Sequence, residues 1–153
     1  MTEYWWIYVL CVLLGAVLTV AWMRRARRRR EEAFVPMDDL EGHDFEYYCA
    51  DLLRANGFEG VRVTKGSGDF GADILAEKDG VTYAVQCKIY SSPIGVFAVQ
   101  QAVAGREYYH RMVAAVMTNQ YYTRAAEEAA DRMLVLLWDR DDLARMERFA
   151  GKV

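Results

Sequence analysis

Asp79-Gly80 stands between two mainly apolar runs, Ala72 to Lys78 and Val81 to Tyr90, and this arrangement leaves the chain few ways to connect them. Aspartate followed by glycine suits the left-handed angles of a two-residue type I′ bend, so the runs are predicted to pair as an antiparallel hairpin. With those two residues as the whole loop, Lys78 faces Val81, and counting along the ladder Asp73 faces Gln86. Side chains alternate along a strand, so Lys88 shares the face of Gln86 and lies diagonal to Asp73, within roughly 8 Å. The opposite face pairs Ala72 with Cys87, Ile74 with Val85 and Ala76 with Tyr83, an apolar set expected to be core.

The polar face also carries Leu75 and Ala84, so it too is expected to be at least partly covered. Burying a carboxylate and an amine there is costly unless they are paired or hold a cation. A hard divalent cation such as Mg²⁺ accepts carboxylate, amide and carbonyl oxygens, and Asp73, the Gln86 side chain and the Cys87 backbone carbonyl can supply half its shell. Such a cation acidifies bound water and polarises a phosphoryl oxygen, the two needs of phosphodiester hydrolysis, with Lys88 orienting the water or stabilising the developing charge. Geometry by itself leaves open, and favours, a plain surface salt bridge between Asp73 and Lys88.

Around the hairpin the apolar pattern predicts alternating elements. Phe45, Cys49, Leu52 and Leu53 form a helical stripe capped by Asp38 or Asp39 and stopped by Asn56-Gly57. Val61 and Val63 mark a strand, and KGSGDFG a turn. After Pro93, residues Val96, Val99, Val103 and Ala104 trace a second helix ending near His110. Met112 to Met117 is a short buried strand, Tyr122 to Met133 a helix rich in small residues, Leu134 to Trp138 a strand, and Asp141 opens a last helix. Helix, three strands, helix, strand, helix, strand, helix is the order of a three-layer α/β/α sandwich with a mixed sheet.

Tyr4 to Met23 contains no charge and is long enough, at about 1.5 Å per residue, for a hydrocarbon core of roughly 30 Å. Aromatic residues lie at both ends and six arginines follow between Arg24 and Arg30. The positive-inside rule then puts the short N-terminal tail outside and the remainder in the cytosol, as a single-pass inner-membrane protein. A cleavable signal peptide has its basic flank first and a shorter apolar stretch, so it fits less well. The expected organisation is a transmembrane helix over 4–23, a basic flank and linker over 24–38, and a catalytic domain over 39–150.

From Glu31 to Val153 there are 13 basic and 21 acidic side chains, a net charge of −8, which argues against tight nonspecific binding to nucleic acid. Cys11, Cys49 and Cys87 show no metal-ligand or redox spacing, and His43 and His110 complete no zinc set, so zinc chemistry is not expected.

DFEYYCADLLRANGF on the first helix, GSGDFGADIL on the turn and strand, VQCK on the next strand, VQQ on the following helix and VMTN before TRAAEEAA occur in that order. With these motifs the chain resembles, over His43 to Met146, the Mrr-like branch of the PD-(D/E)xK nuclease superfamily, whose QxK replaces the commoner ExK. The resemblance implies a restriction-endonuclease-like fold, DNA as substrate and Mg²⁺ or Mn²⁺ as cofactor. It further implies that Asp73 is the metal-binding aspartate, Gln86 the ligand-side member of QxK, Lys88 the catalytic lysine and Glu46 the first-helix acid. Gln100 matches a polar helix position that approaches the active centre. Taken from its residues alone, Glu46 is equally a solvated helix position. Asp69 reads first as a turn-stabilising residue, and Tyr108-Tyr109 and Tyr121-Tyr122 as packing rather than base stacking.

The acidic domain and the membrane segment depart from an ordinary enzyme of this kind. The expected function is a membrane-anchored endonuclease hydrolysing DNA phosphodiester bonds in restriction of foreign DNA. The alternative is a non-catalytic nuclease-fold module tethering nucleic acid or a protein partner at the membrane. Cutting both strands takes two active centres, so a homodimer is expected.

Overall fold

The computed structural model describes residues 37–64 and 70–151. The expected span over 4–23, the arginine run and Asp69 lie outside the described residues, and no helix among the described residues is long and apolar enough to cross a membrane.

Strands β1 (Glu59–Val63), β2 (Ile74–Lys78) and β3 (Val81–Lys88) form an antiparallel meander. Ile74 lies opposite Val85 and Lys78 opposite Val81, the register set by the two-residue bend. Both bend residues are left-handed, Asp79 at φ 52° and Gly80 at φ 77°, as a type I′ turn requires. Strands β4 (Val113–Thr118) and β5 (Val135–Trp138) then join in parallel, giving a mixed sheet ordered β1-β2-β3-β4-β5. Parallel neighbours need crossovers, and helices α2 (Val96–Tyr108) and α3 (Arg124–Met133) supply them.

Alternation along the strands feeds two cores. Ile74, Ala76, Val85, Cys87, Ala115 and Met117 meet helix α1 (Gly42–Ala55), through Phe45, Cys49, Leu52 and Leu53, and Leu143 of α4 (Arg140–Ala150). On the other face Ala114 and Val116 meet Ala98, Val99 and Ala102 of α2 and Ala126 and Ala130 of α3. The sheet between two helical layers is the three-layer mixed sandwich expected.

Several boundaries differ for identifiable reasons. Strand β2 starts at Ile74, not Ala72: the Asp73 N–H bonds the Val85 carbonyl at 2.8 Å, so the expected ladder pair of Ala72 with Cys87 is replaced by a bend. Strand β3 stops at Lys88, not Tyr90, because the buried Asn119 side chain takes both backbone groups of Tyr90 at 3.0 Å. Asp38 and Asp39 do not cap α1, whose N-cap is Glu41. They lie in a 3-10 turn (Met37–Asp39), where the Asp38 carboxylate accepts from Asn119 and Arg140. In α2 the buried face is Ala98, Val99, Ala102 and Gly105, while Ala104 is exposed. Val99 faces the sheet as expected and Val103 packs at its margin, but small residues fill the rest of the inner face because the backbone leading into β2 comes into contact with this helix.

Candidate active site

The site begins with a contact that only glycine permits. The chain reaches β2 through Phe70 and Gly71, both left-handed at φ 50° and 90°. A Cβ on Gly71 would stand 2.2 Å from the Gln101 carbonyl oxygen, and one on Gly105 would stand 2.6 Å from the carbonyl oxygen of Gly71. Two glycines far apart in sequence thus let this segment lie directly on α2. From the β1 side Thr64 donates its N–H to the Asp73 carbonyl at 2.8 Å and its hydroxyl to the Ala72 carbonyl at 2.8 Å. The backbone at Asp73 is therefore fixed by Thr64, by Val85 and, through Gly71, by α2.

So held, Asp73 is 5 % exposed and Gln86 3 %. The carboxylate therefore lies in the interior and not on the surface, where the hairpin geometry alone favoured a plain salt bridge. The Asp73 carboxylate accepts from Gln86 Nε2 and from the Cys87 N–H, the latter at 2.6 Å. Gln86 Nε2 also lies 3.4 Å from the Cys87 carbonyl oxygen, whereas Gln86 Oε1 is buried without a hydrogen-bond partner. A buried, unsatisfied amide oxygen costs about 1–3 kcal/mol. Rotating the terminal amide would turn that oxygen toward the carboxylate and carbonyl, an arrangement of three oxygens that is favourable only around a cation.

The donor set fits such an ion. Among the described residues no three His, Cys, Asp or Glu side chains cluster, so the oxygens of Asp73, Gln86 and Cys87 are those on offer. Carboxylate, amide and carbonyl oxygens suit Mg²⁺ or Mn²⁺ and not zinc, which prefers nitrogen and sulfur.

Lys88, half-buried at the end of β3, lines a cleft of about 230 Å³ with Tyr90, Ser92, Pro93, Ile94, Gly95, Phe97 and Ala98. A hollow of about 520 Å³, lined in part by Tyr90, Asn119 and Gln120, lies beyond it. Both open at the carboxyl ends of parallel strands β3 and β4, the usual ligand position of an α/β sheet.

Glu46 is on α1, in the layer facing Cys87 and opposite the layer that Gln86 faces. Its side chain is 19 % exposed and bonds His43 Nδ1 at 3.0 Å. Burial pushes the Cys87 thiol well above its ordinary range, and the Cys49 thiol, Asp73 and Glu46 add to the shift. Gln100 is exposed on α2, while the neighbouring Gln101 buries its Oε1 without a partner. Tyr122 is packing, as expected: its half-buried hydroxyl donates to the Val116 carbonyl at 2.9 Å, and burial raises its pKa far above the ordinary tyrosine value.

The contacts made by Thr64, His43 and Gly105 escaped the sequence reading. The spacing of His43 and Glu46 on one helix was a usable signal. No local pattern announces that Gly105 meets Gly71.

Three solved structures share this fold. A protein of unknown function, AF1548, is 19 % identical with TM-score 0.58, covering 69 % of this chain and 66 % of its own. The DNA modification-dependent restriction endonuclease AspBHI is 24 % identical with TM-score 0.56, over 71 % of this chain and 31 % of its own. The MspJI restriction endonuclease in complex with a 27-mer oligonucleotide is 20 % identical with TM-score 0.55, over 72 % and 28 %. This chain thus spans less than a third of the length of either endonuclease, and the likeness is one of fold. No curated protein matches it in sequence. The Mrr_cat family profile, described as restriction endonuclease, matches residues 37–147, from the first turn of the sandwich into α4, and the chain belongs to that family.

Proposed function

We propose that this chain is a divalent-metal-dependent endonuclease that hydrolyses DNA phosphodiester bonds from the cytosolic side of a membrane, held there by residues 4–23. The observation that carries the reading is the buried convergence of the Asp73 carboxylate, the Gln86 amide with its unpartnered oxygen, and the Cys87 carbonyl. Nothing in a sheet of this kind requires a carboxylate and an amide in its interior, and they are stable there because they engage each other and, in the working enzyme, a cation. Asp73, Gln86 and the Cys87 carbonyl would hold Mg²⁺ or Mn²⁺, which acidifies water and neutralises phosphate charge when bound. Lys88, in the cleft beyond, orients the attacking water and stabilises charge on the phosphate. Glu46 supports the site from the α1 layer, and Gln100 is an accessory contact on the exposed side of α2. DNA as substrate is supported by the family and by the named activities of AspBHI and MspJI. Restriction of incoming DNA is the role that fits a nuclease at the membrane, with two copies acting together to cut both strands.

Plasmid nicking by the full-length chain in detergent micelles with Mg²⁺ or Mn²⁺ tests this. Asp73→Ala and Lys88→Ala are each expected to lower the nicking rate by at least about 100-fold, the scale of losing one charge-stabilising group. Equal nicking by both variants would assign the activity to other residues. A wild-type chain that binds DNA but cuts with no divalent metal would instead favour the tethering reading.

A further inference from the structure

We propose that Phe70 and Tyr108 form a stacking platform for an unpaired nucleobase of the strand being cut, an inference that rests on the nuclease reading and names how that site holds its substrate. Their rings stack at 3.7 Å between centroids and 15° between planes. Phe70 is nevertheless 53 % exposed and Tyr108 52 %, so the stack leaves about half of each residue to solvent. Phe70 is also left-handed at φ 50°, which costs a non-glycine residue about 1–2 kcal/mol. Glycine at this position would avoid both the strain and the exposed apolar surface, so neither is explained by folding.

The platform is tied to the hairpin that carries the chemistry. Tyr109 meets Tyr108 edge to face at 4.9 Å and packs on the buried cluster of Ala72, Leu75 and Ala84, tying the ring pair to the hairpin. Phe70 precedes Asp73 by three residues, a reach of no more than about 11 Å. A flat ring pair with a free face accepts a planar π system, and every base has one. Bases inside a duplex are already stacked on both sides, so the occupant is a base from a single strand, a frayed end or an extruded position.

The test uses the full-length chain in detergent micelles with Ca²⁺ and a 12-nucleotide single strand containing 2-aminopurine, whose emission is quenched by stacking, beside the same strand in a duplex. Wild type is expected to bind and quench the single strand more than the duplex. Phe70→Leu and Tyr108→Leu should weaken single-strand affinity by roughly 5- to 150-fold and abolish the quenching, while Phe70→Trp and Tyr108→Phe retain both. Leucine variants that bind and quench like wild type would overturn the platform, as would a wild type that quenches neither probe. If a leucine variant fails to fold, Phe70→Trp decides: its added indole emission drops on oligonucleotide binding if the ring meets a base, and an unmoved emission overturns the proposal. Quenching lost in the leucine variants of a chain that never nicks plasmid sinks the nuclease reading and leaves the platform standing. Nicking with unchanged quenching does the reverse.

Discussion

At Gly105 a single methyl group would meet the Gly71 carbonyl oxygen at 2.6 Å and the Ala72 Cβ at 2.7 Å, both belonging to the segment that delivers Asp73. Overpacking of this kind costs about 1–3 kcal/mol and is relieved by moving backbone. Gly105→Ala is therefore expected to lower the melting temperature and to reduce nicking by more than it reduces DNA binding. Gly42→Ala, where nothing lies within 4 Å, is the control and should melt at or slightly above wild type. A Gly105→Ala chain that melts and nicks as wild type would show that the close approach does not position the carboxylate. Residue by residue, the neighbourhood of Asp73 and Gln86 was legible because a two-residue bend leaves one register. That their face is covered was legible from Leu75 and Ala84 beside them, but how it is closed was not, because that depends on α2 lying against Gly71. Nor was the layer of Glu46, since a helical stripe gives a helix its inner face but not the side of the sheet it covers.

At the scale of elements, legibility followed the range of the forces. The hairpin was readable because Asp79-Gly80 is local turn chemistry, α1 and α3 because their helical spacing is strong, and β4 because a short unbroken apolar run with valines fits a buried strand. The ends of β2 and β3 were misread because the ladder breaks at each: the Asp73 N–H bonds the Val85 carbonyl while its own carbonyl turns to Thr64, and Asn119 takes both backbone groups of Tyr90. Ending β3 at Lys88 has a consequence for the site, since the chain turns away there and the cleft beside the lysine opens. The inward face of α2 was misjudged for a related reason. Val99 does point inward as expected, but beside it contact with another backbone selects Ala98, Ala102 and Gly105 over Val96 and Ala104.

The mixed sheet follows from chain order: β2 and β3, joined by a two-residue bend, run antiparallel, and the strands joined by helices run parallel. The net charge of −8 beyond residue 30 disfavours indiscriminate attraction to DNA, and under the proposed function it puts the weight of recognition on local groups such as Lys88 and the proposed Phe70–Tyr108 platform. Six arginines after the uncharged N-terminal run set the proposed orientation. A tag at the N-terminus of the intact cell's protein is accordingly expected to react with an impermeant reagent, and a tag after Val153 to be protected. The opposite pattern would reverse the orientation and remove the nuclease from the cytosol.

The account as a whole depends on three oxygens holding a divalent cation in the interior of the hairpin. Anomalous scattering from crystals of the full-length chain soaked in Mn²⁺ measures this directly. The expected result is one strong peak bonded to Asp73, with the Gln86 amide turned so that Oε1 and the Cys87 carbonyl also reach the ion, and loss of that peak in Asp73→Ala. A wild-type crystal with Mn²⁺ bound elsewhere, and Gln86 Nε2 still donating to Asp73, would contradict it.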